Sequence, residues 1–450
     1  MAMSRGGSAA SPIQKLPVEI LTKIFVQCIY GHDLPGQKIY YMHPRDPLRS
    51  LTYINYPTPL PFLLSHVCSI WRAVALSSPI LWALLETPSD SRKSSSKAIT
   101  RLLHLWISRS GNMPLCLHVC STPDGGSGNY NFMKALSDHL RRVENMTLTY
   151  WCTAVPFTRV YGDAPSLRSL KLETEGPSTN LQFPFYSCPQ LRHLEWPSSA
   201  SLLRLGTNIP WAQLTQLRLD DVTSSQAVSF LSSCPQLVDV RYKIEASPNS
   251  SRHRIKHENL RQLALIIGTG CDIHPFIDSI ILPSLTNLQL EHKQNQRTDV
   301  LRMQTLVDML TRSECHLLHL DIAYLNYNSE EFRCILEIPS CLGLRTLKSV
   351  ARIMMADIPL TDELLTQLSF SNALSDEVLC PDLEMISFMN YGPSSPGALG
   401  RMVASRFKYG SMKSFSFYPF RNHEYHDDWK IIHSLAKEGF DVAGYWWVHY

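Results

Sequence analysis

The sequence predicts an α/β protein, in which a small helical module is followed by a curved solenoid with parallel strands on its concave side. Three observations predict it. From residue 143 onward the pattern apolar-x-x-apolar-x-apolar returns at nearly even intervals, which marks a stacked array. Helical periodicity lies between several copies, so each repeat reads as one strand plus one helix. Ahead of residue 88, apolar residues at three-four spacing mark three short helices. The chain divides into a disordered tail (1–12), the helical module (13–88) with an insertion (31–60), a polar linker (89–97), the solenoid (98–420) and a C-terminal cap (421–450).

The 450 residues are 44% hydrophobic and 18% charged, with a net charge of +3. The composition is that of a globular chain, and so small and dispersed a charge argues against nucleic acid as a partner. Twelve cysteines stand singly with no C-x-x-C pair, so neither a zinc ribbon nor a RING is encoded. Scattered thiols fit a reducing compartment, and residues 1–14 lack the apolar core of a signal peptide, so the chain reads as cytoplasmic or nuclear. The most apolar long window, Leu263 to Pro283, is broken by Asp272, His274, Pro275 and Asp278, so no membrane span is expected.

In the helical module, Pro17 suits the first turn of a helix. Behind it, Ile20 and Ile24 form one ridge and Leu21 and Phe25 another. Leu64, Val67, Cys68, Trp71 and Val74 repeat the spacing and predict a second helix. Ser78-Pro79 reads as an N-cap and first turn, opening a third helix that carries Leu81, Trp82 and Leu85. So few helical residues are marginal alone and call for a partner.

The runs Leu16-Pro17-x-Glu19-Ile20-Leu21-x-x-Ile24-Phe25, Val67-Cys68-x-x-Trp71-Arg72 and Ser78-Pro79-x-Leu81-Trp82 resemble an F-box. The resemblance implies a helical module that docks on the Skp adaptor of cullin–RING ubiquitin ligases and holds a substrate-recruiting domain. It makes Leu16, Pro17, Ile20, Leu21, Ile24, Phe25, Val67, Cys68, Trp71, Leu81 and Trp82 the adaptor-binding residues. The insertion, rich in Pro and Tyr, resembles that of the expanded F-box-like proteins of basidiomycete fungi. So does the run Trp106-x-x-Arg109-Ser110-Gly111-x-x-Pro114-Leu115-x-Leu117.

That run spaces Leu102, Leu105 and Trp106 on a helix over 98–109, with Ser110-Gly111 as its C-terminal cap. Residues 114–119 alternate as a strand, and 121–131 are a Gly-rich loop. The repeats then begin at Val143, Leu167, Leu191, Leu214, Leu237, Leu260, Leu285 and Leu317, spaced 24, 24, 23, 23, 23, 25 and 32 residues apart. Looser copies start at Leu344, Leu383 and Met412. Ser-Cys-Pro-Gln-Leu occurs twice, at 187–191 and 233–237. The period and the L-x-x-L-x-L pattern resemble leucine-rich repeats, without the Asn that usually follows. A parallel β-helix has rungs of similar length, but 226–231 and 301–310 read as helices. The last helix is read over 426–438, with Gly439 as cap, and 440–450 as an aromatic, strand-like end that closes the array.

Residues between the strand anchors face the concave wall. Lys171, Glu195, Arg218, Arg241, Gln289 and Asp321 form a row of mixed charge there, suited to a protein target. Cys116, His118 and Cys120, His253 with His257, and His423 with His426 are each too few to make a metal site. There is no G-x-S-x-G, H-E-x-x-H or phosphate-binding Gly loop, and no cofactor is expected. The reading is a non-catalytic receptor, with the F-box docked on a Skp-type adaptor and through it on a cullin, and the repeats holding an unknown protein target. The alternative is a leucine-rich-repeat scaffold with no ligase role.

Overall fold

A computed structural model of the chain describes residues 16–30, 60–86, 96–120, 134–151, 162–175, 183, 185–197, 208–246, 254–293, 301–325, 327–350, 360–370, 378–389, 394–418 and 426–443. The tail, insertion 31–59, residues 89–95 of the linker, the Gly-rich loop, His253, His423 and 444–450 lie outside these residues. The chain forms two compact units, Met1–Leu191 with Leu205–Ile209, and Arg192–Arg204 with Pro210–Tyr450. Both are α/β, built on parallel strands in a solenoid-like stack.

In the first unit, α1 (Val18–Tyr30) begins one residue after Pro17, whose carbonyl accepts the amides of Ile20 and Leu21 at 3.0 Å each. The expected second helix is two helices, α2 (Leu60–Ser65) and α3 (Ser69–Ser77). The break falls at His66-Val67 because Cys68 is an N-cap, its extended backbone turning the chain while its thiol accepts the Trp71 amide at 3.5 Å. The Arg72 guanidinium donates to the Ser65 carbonyl at 2.9 Å, closing the end of α2.

The expected third helix is likewise shorter. A single 3-10 turn covers Pro79–Trp82, and Leu85 lies in β1 (Leu84–Glu86). β1 pairs in parallel with β2 (Leu115–Cys120), reached through α4 (Ser96–Arg109). β2 pairs with β3 (Val143–Trp151), and β3 with β5 (Ser169–Glu175). The polar stretch 89–97 therefore separates no independent domain. Its flanks share one aromatic core, in which the Trp82 and Trp106 rings lie 4.8 Å apart and Phe62 sits 5.4 and 5.3 Å from them. The indoles donate to the Ala75 and Leu84 carbonyls, each at 2.8 Å, and Arg109 lies 4.4 Å over Trp82. A short second ladder pairs β4 (Gly162–Asp163) with β6 (Phe185–Ser187).

In the second unit, ten parallel strands lie side by side in chain order. Nine steps join β7 (His193–Trp196), β8 (Gln216–Thr223), β9 (Asp239–Ala246), β11 (Gln262–Ile267), β13 (Asn287–His292), β14 (His319–Ala323), β15 (Thr346–Val350), β16 (Met385–Met389), β17 (Ser414–Tyr418) and β18 (Asp441–Ala443). The returns carry α5 (Ser224–Ser233), α6 (His274–Ser279), α7 (Met303–Ser313), α8 (Ser329–Leu336), α9 (Asp362–Gln367), α10 (Ala398–Tyr409) and α11 (His426–Lys437). One return departs from strand-plus-helix, since β10 (Ile255–Lys256) pairs with β12 (Ile280–Ile281) as a second ladder.

Every anchor named from the spacing is buried, none more than 4% exposed. Ahead of several anchor leucines a turn closes on the amide: Leu237 on the Cys234 carbonyl, Leu285 on Leu282, Leu344 on Cys341, at 3.1 to 3.2 Å. This gives the recurring Cys-Pro-Gln-Leu its meaning. The cysteine packs inward, the Pro-Gln pair makes the turn, and burial pushes the Cys188 and Cys234 thiols up to about 12, so they are neutral fillers.

Two buried polar side chains hold the later returns. The Arg406 guanidinium is fully buried and donates to three carbonyls, those of Leu368, Leu379 and Cys380 (the last at 3.0 Å). Asp428 accepts the Gly397 and Gly400 amides at 3.1 and 2.8 Å and caps α10. A methyl group at Gly400 would sit 2.9 Å from the Asp428 carbonyl oxygen, so the α10–α11 approach requires glycine there. Arg406→Met is expected to lower unfolding stability by about 3–5 kcal/mol, because it strands three buried carbonyls. Lys413→Met, on the surface, should cost under about 1 kcal/mol. Urea titration of both variants checks this.

Candidate docking surfaces

Two surfaces carry the sequence-predicted residues. The first is the helical module. Leu21, Phe25, Leu81 and Trp82 are fully buried and form its own core, with Phe25 4.8 Å from Trp71. These four are corrected from contact residues to supports. Leu16, Cys68 and Trp71 are half-buried. Pro17 is exposed, as are Ile20 (41%), Ile24 (37%) and Val67 (59%). Seven of the twelve large exposed apolar side chains among the described residues fall here, the others being Val18, Leu63, Ile70 and Leu76. Such a concentration exceeds the singly scattered apolar residues of an ordinary surface. The sequence showed both ridges of α1 but not which one faces inward. Leu21 and Phe25 turn in because Trp71 packs on that side.

The second surface is the solvent-facing side of the strands. In the second unit the parallel register places Glu195, Arg218, Arg241, Ala264, Gln289, Asp321, Lys348, Ser387 and Ser416 in one row, strand after strand. Five of the six residues expected on the wall thus lie in line. Lys171 occupies the corresponding row of the first unit, beside Thr147 and His118.

The charges of β8 and β9 are largely paired. Arg218 meets Asp239 at 3.7 Å, and Lys243 meets Glu245 at 2.9 Å and Asp221 at 3.3 Å. Lys293 reaches the same Glu245 carboxylate at 3.2 Å. Burial raises the Asp321 pKa, against the opposing pull of Lys348. Two strands beyond Asp321 the strand positions carry no charge: β16 presents Met385, Ser387 and Met389, and β17 presents Ser414 and Ser416.

Among the described residues no three His, Cys, Asp or Glu side chains are grouped to hold a metal ion. Cys116 accepts from the Asn145 amide at 3.3 Å, His118 shares a 3.4 Å bond with Thr149, and buried His257 bonds the Cys234 carbonyl at 3.0 Å. No described helix is long and apolar enough to cross a membrane.

No protein-family model matches the chain, and no curated protein does. Among solved structures, a protein from Bacteroides fragilis is similar over 73% of this chain and 72% of its own, at 13% identity and a TM-score of 0.30.

In the first unit, burial pushes the Glu173 carboxyl upward, but the Lys171 ammonium at 2.6 Å and the Thr149 hydroxyl at 3.0 Å outweigh it and hold its pKa below the ordinary value. A lowered carboxyl stabilises the fold above its unfolded pKa and loses that contribution as pH falls through the folded one. Lys171→Met should therefore raise the Glu173 pKa, read by NMR titration. It should also flatten the fall in stability below about pH 4.5, by under about 1 kcal/mol since Glu173 is partly solvated.

Proposed function

We propose that the chain is a non-catalytic receptor of the F-box type. In this reading the helical module docks on a Skp-type adaptor of a cullin–RING ubiquitin ligase, and the repeat face holds a protein target. The carrying observation is the outer ridge of α1. Pro17, Ile20 and Ile24 stand free while Leu21 and Phe25 fix the helix from behind. If these helices were only the cap of the array, that ridge would be covered by the first strands. A helix-in-groove contact here would bury about 1,600 Å² in total. The receptor's contribution would be proximity, raising the target's local concentration at the conjugating enzyme.

The fine architecture belongs to the same proposal: an F-box-like module leading into degenerate leucine-rich repeats whose strands face the target. The continuity of the module with β1 and β2 supports a stiff mount between docking face and first strands.

The test is co-purification with a fungal Skp adaptor. Ile20→Glu with Ile24→Glu should abolish a complex that the parent chain forms. The melting transition should hold within about 1 kcal/mol, because both side chains are exposed. A complex that survives the double charge, or none with the parent chain, would refute adaptor docking and favour the scaffold.

A further inference from the structure

The solvent-facing rows of the second unit differ along their length in how costly they are to cover. On β8 and β9 most of the charges, Arg241 and Asp220 apart, already bond one another, so a partner laid there must strip water from satisfied ion pairs and gains little from them in return. Over β16 and β17 the face is uncharged. Ser387 and Ser416 are register partners, two small side chains side by side. Met385 stands on one flank of Ser387, 37% exposed, and Met389 on the other. Small side chains thus lie beside two thioethers of β16, which adapt to varied apolar shapes, and the register outlines a shallow trough over Ser387 and Ser416.

Of the cations that border it, Lys413 beside Ser414 and Arg345 beside β15 both meet Glu384, at 2.7 and 3.9 Å. Lys348 is the register partner of Ser387 on β15, is exposed, and has no bonded partner among the described residues. Asp321 lies one strand beyond Lys348, on the side away from the trough.

Strand spacing sets a ruler. Adjacent strands lie about 4.8 Å apart, so Lys348 is about 7 Å, one and a half spacings, from the middle of the trough. In an extended chain crossing the strands, side chains on one face recur every two residues, again about 7 Å. We propose that this end of the sheet binds an extended target segment with the pattern apolar-x-acidic, its Leu, Met or Phe in the Ser387–Ser416 trough and its Asp or Glu on Lys348. The proposal rests on the reading of the sheet as a target face and is independent of adaptor docking.

A random peptide library displayed on phage, panned on the full chain, tests it. Enriched peptides should share an apolar residue followed two positions later by Asp or Glu. A synthetic peptide of that consensus should bind at least about tenfold more weakly to Lys348→Glu and to Ser416→Trp, which fills the trough. Replacing its acid by Lys should restore binding to Lys348→Glu, which a merely misfolded variant could not show. Failure to enrich any peptide, a consensus without the two-residue spacing, or affinity indifferent to both substitutions would overturn the proposal. Adaptor co-purification should be unchanged in both variants, so failure of one reading is separable from failure of the other.

Discussion

At eight of the nine steps along the second unit, from β7 to β17, one carbonyl accepts two consecutive amides from the next turn. Arg192 takes those of Thr215 and Gln216, Thr215 those of Val238 and Asp239, and Val238 those of Arg261 and Gln262. The series continues through Arg261, Thr286, Leu318 and Arg345 to Glu384, which takes Lys413 and Ser414. The bond uses only backbone, so the side chain at this position is free to be Arg, Thr, Val, Leu or Glu. What it fixes is register. Once the first residue of each strand is pinned, the inward triplets stack into a continuous core and the outward residues fall into rows. The row from Glu195 to Ser416 therefore follows from a main-chain constraint, and its chemistry can vary without disturbing the stack.

The same constraint explains what the sequence made legible. Inward positions must be apolar in every copy, so the repeat was visible from Val143 to Leu317 and faintly beyond. Helices with a strong apolar stripe or a cap were equally plain: α5, α7, and α11 with Gly439 at a φ of +95°. Other features left no local trace. A cysteine acting as N-cap, as Cys68 does, imitates an apolar position and hides the break between α2 and α3. Leu84–Glu86 is three residues long, too short to show a period, and its partner lies beyond α4. The outward row was legible as positions, but the Ser387–Ser416 pair was not, because both belong to the copies whose spacing had become irregular.

The helical module shows how composition misleads about boundaries. Ser, Lys and Asp at 89–97 read as a linker, yet the described residues on its two sides share one core. The decisive contacts are non-local. Trp106 of α4 stacks on Trp82 and bonds the Leu84 carbonyl, and the Cys116 amide bonds the Ala83 carbonyl at 2.9 Å. Three aromatic rings with Arg109 over two of them supply burial that so few helical residues could not reach alone. With its inner ridge committed to that core, the outer ridge of α1 needs no apolar residues for folding, and their presence there calls for another explanation.

Where spacing departs from 23–25 residues, buried and half-buried polar side chains take over part of the stacking. The 32-residue step from Leu285 to Leu317 holds Arg312, which donates to the Ile277 and Ile280 carbonyls, and Ser313, which accepts the Leu282 amide at 3.0 Å. The still longer step from Leu344 to Leu383 is held by Arg406, reaching back to Leu368 and Leu379 from the following return. A longer return leaves carbonyls that neither its own turn nor its neighbour's can satisfy, and a guanidinium with five donors can take several at once. Burial without an anionic partner is costly: it draws the Arg406 pKa down to about 10, and three carbonyl bonds are the compensation. Irregular repeats in this chain are therefore not loosely built. They add specific side-chain clamps to the repeating backbone device, which concentrates their stability in a few residues and leaves the outward strand positions of that region unconstrained by the stack.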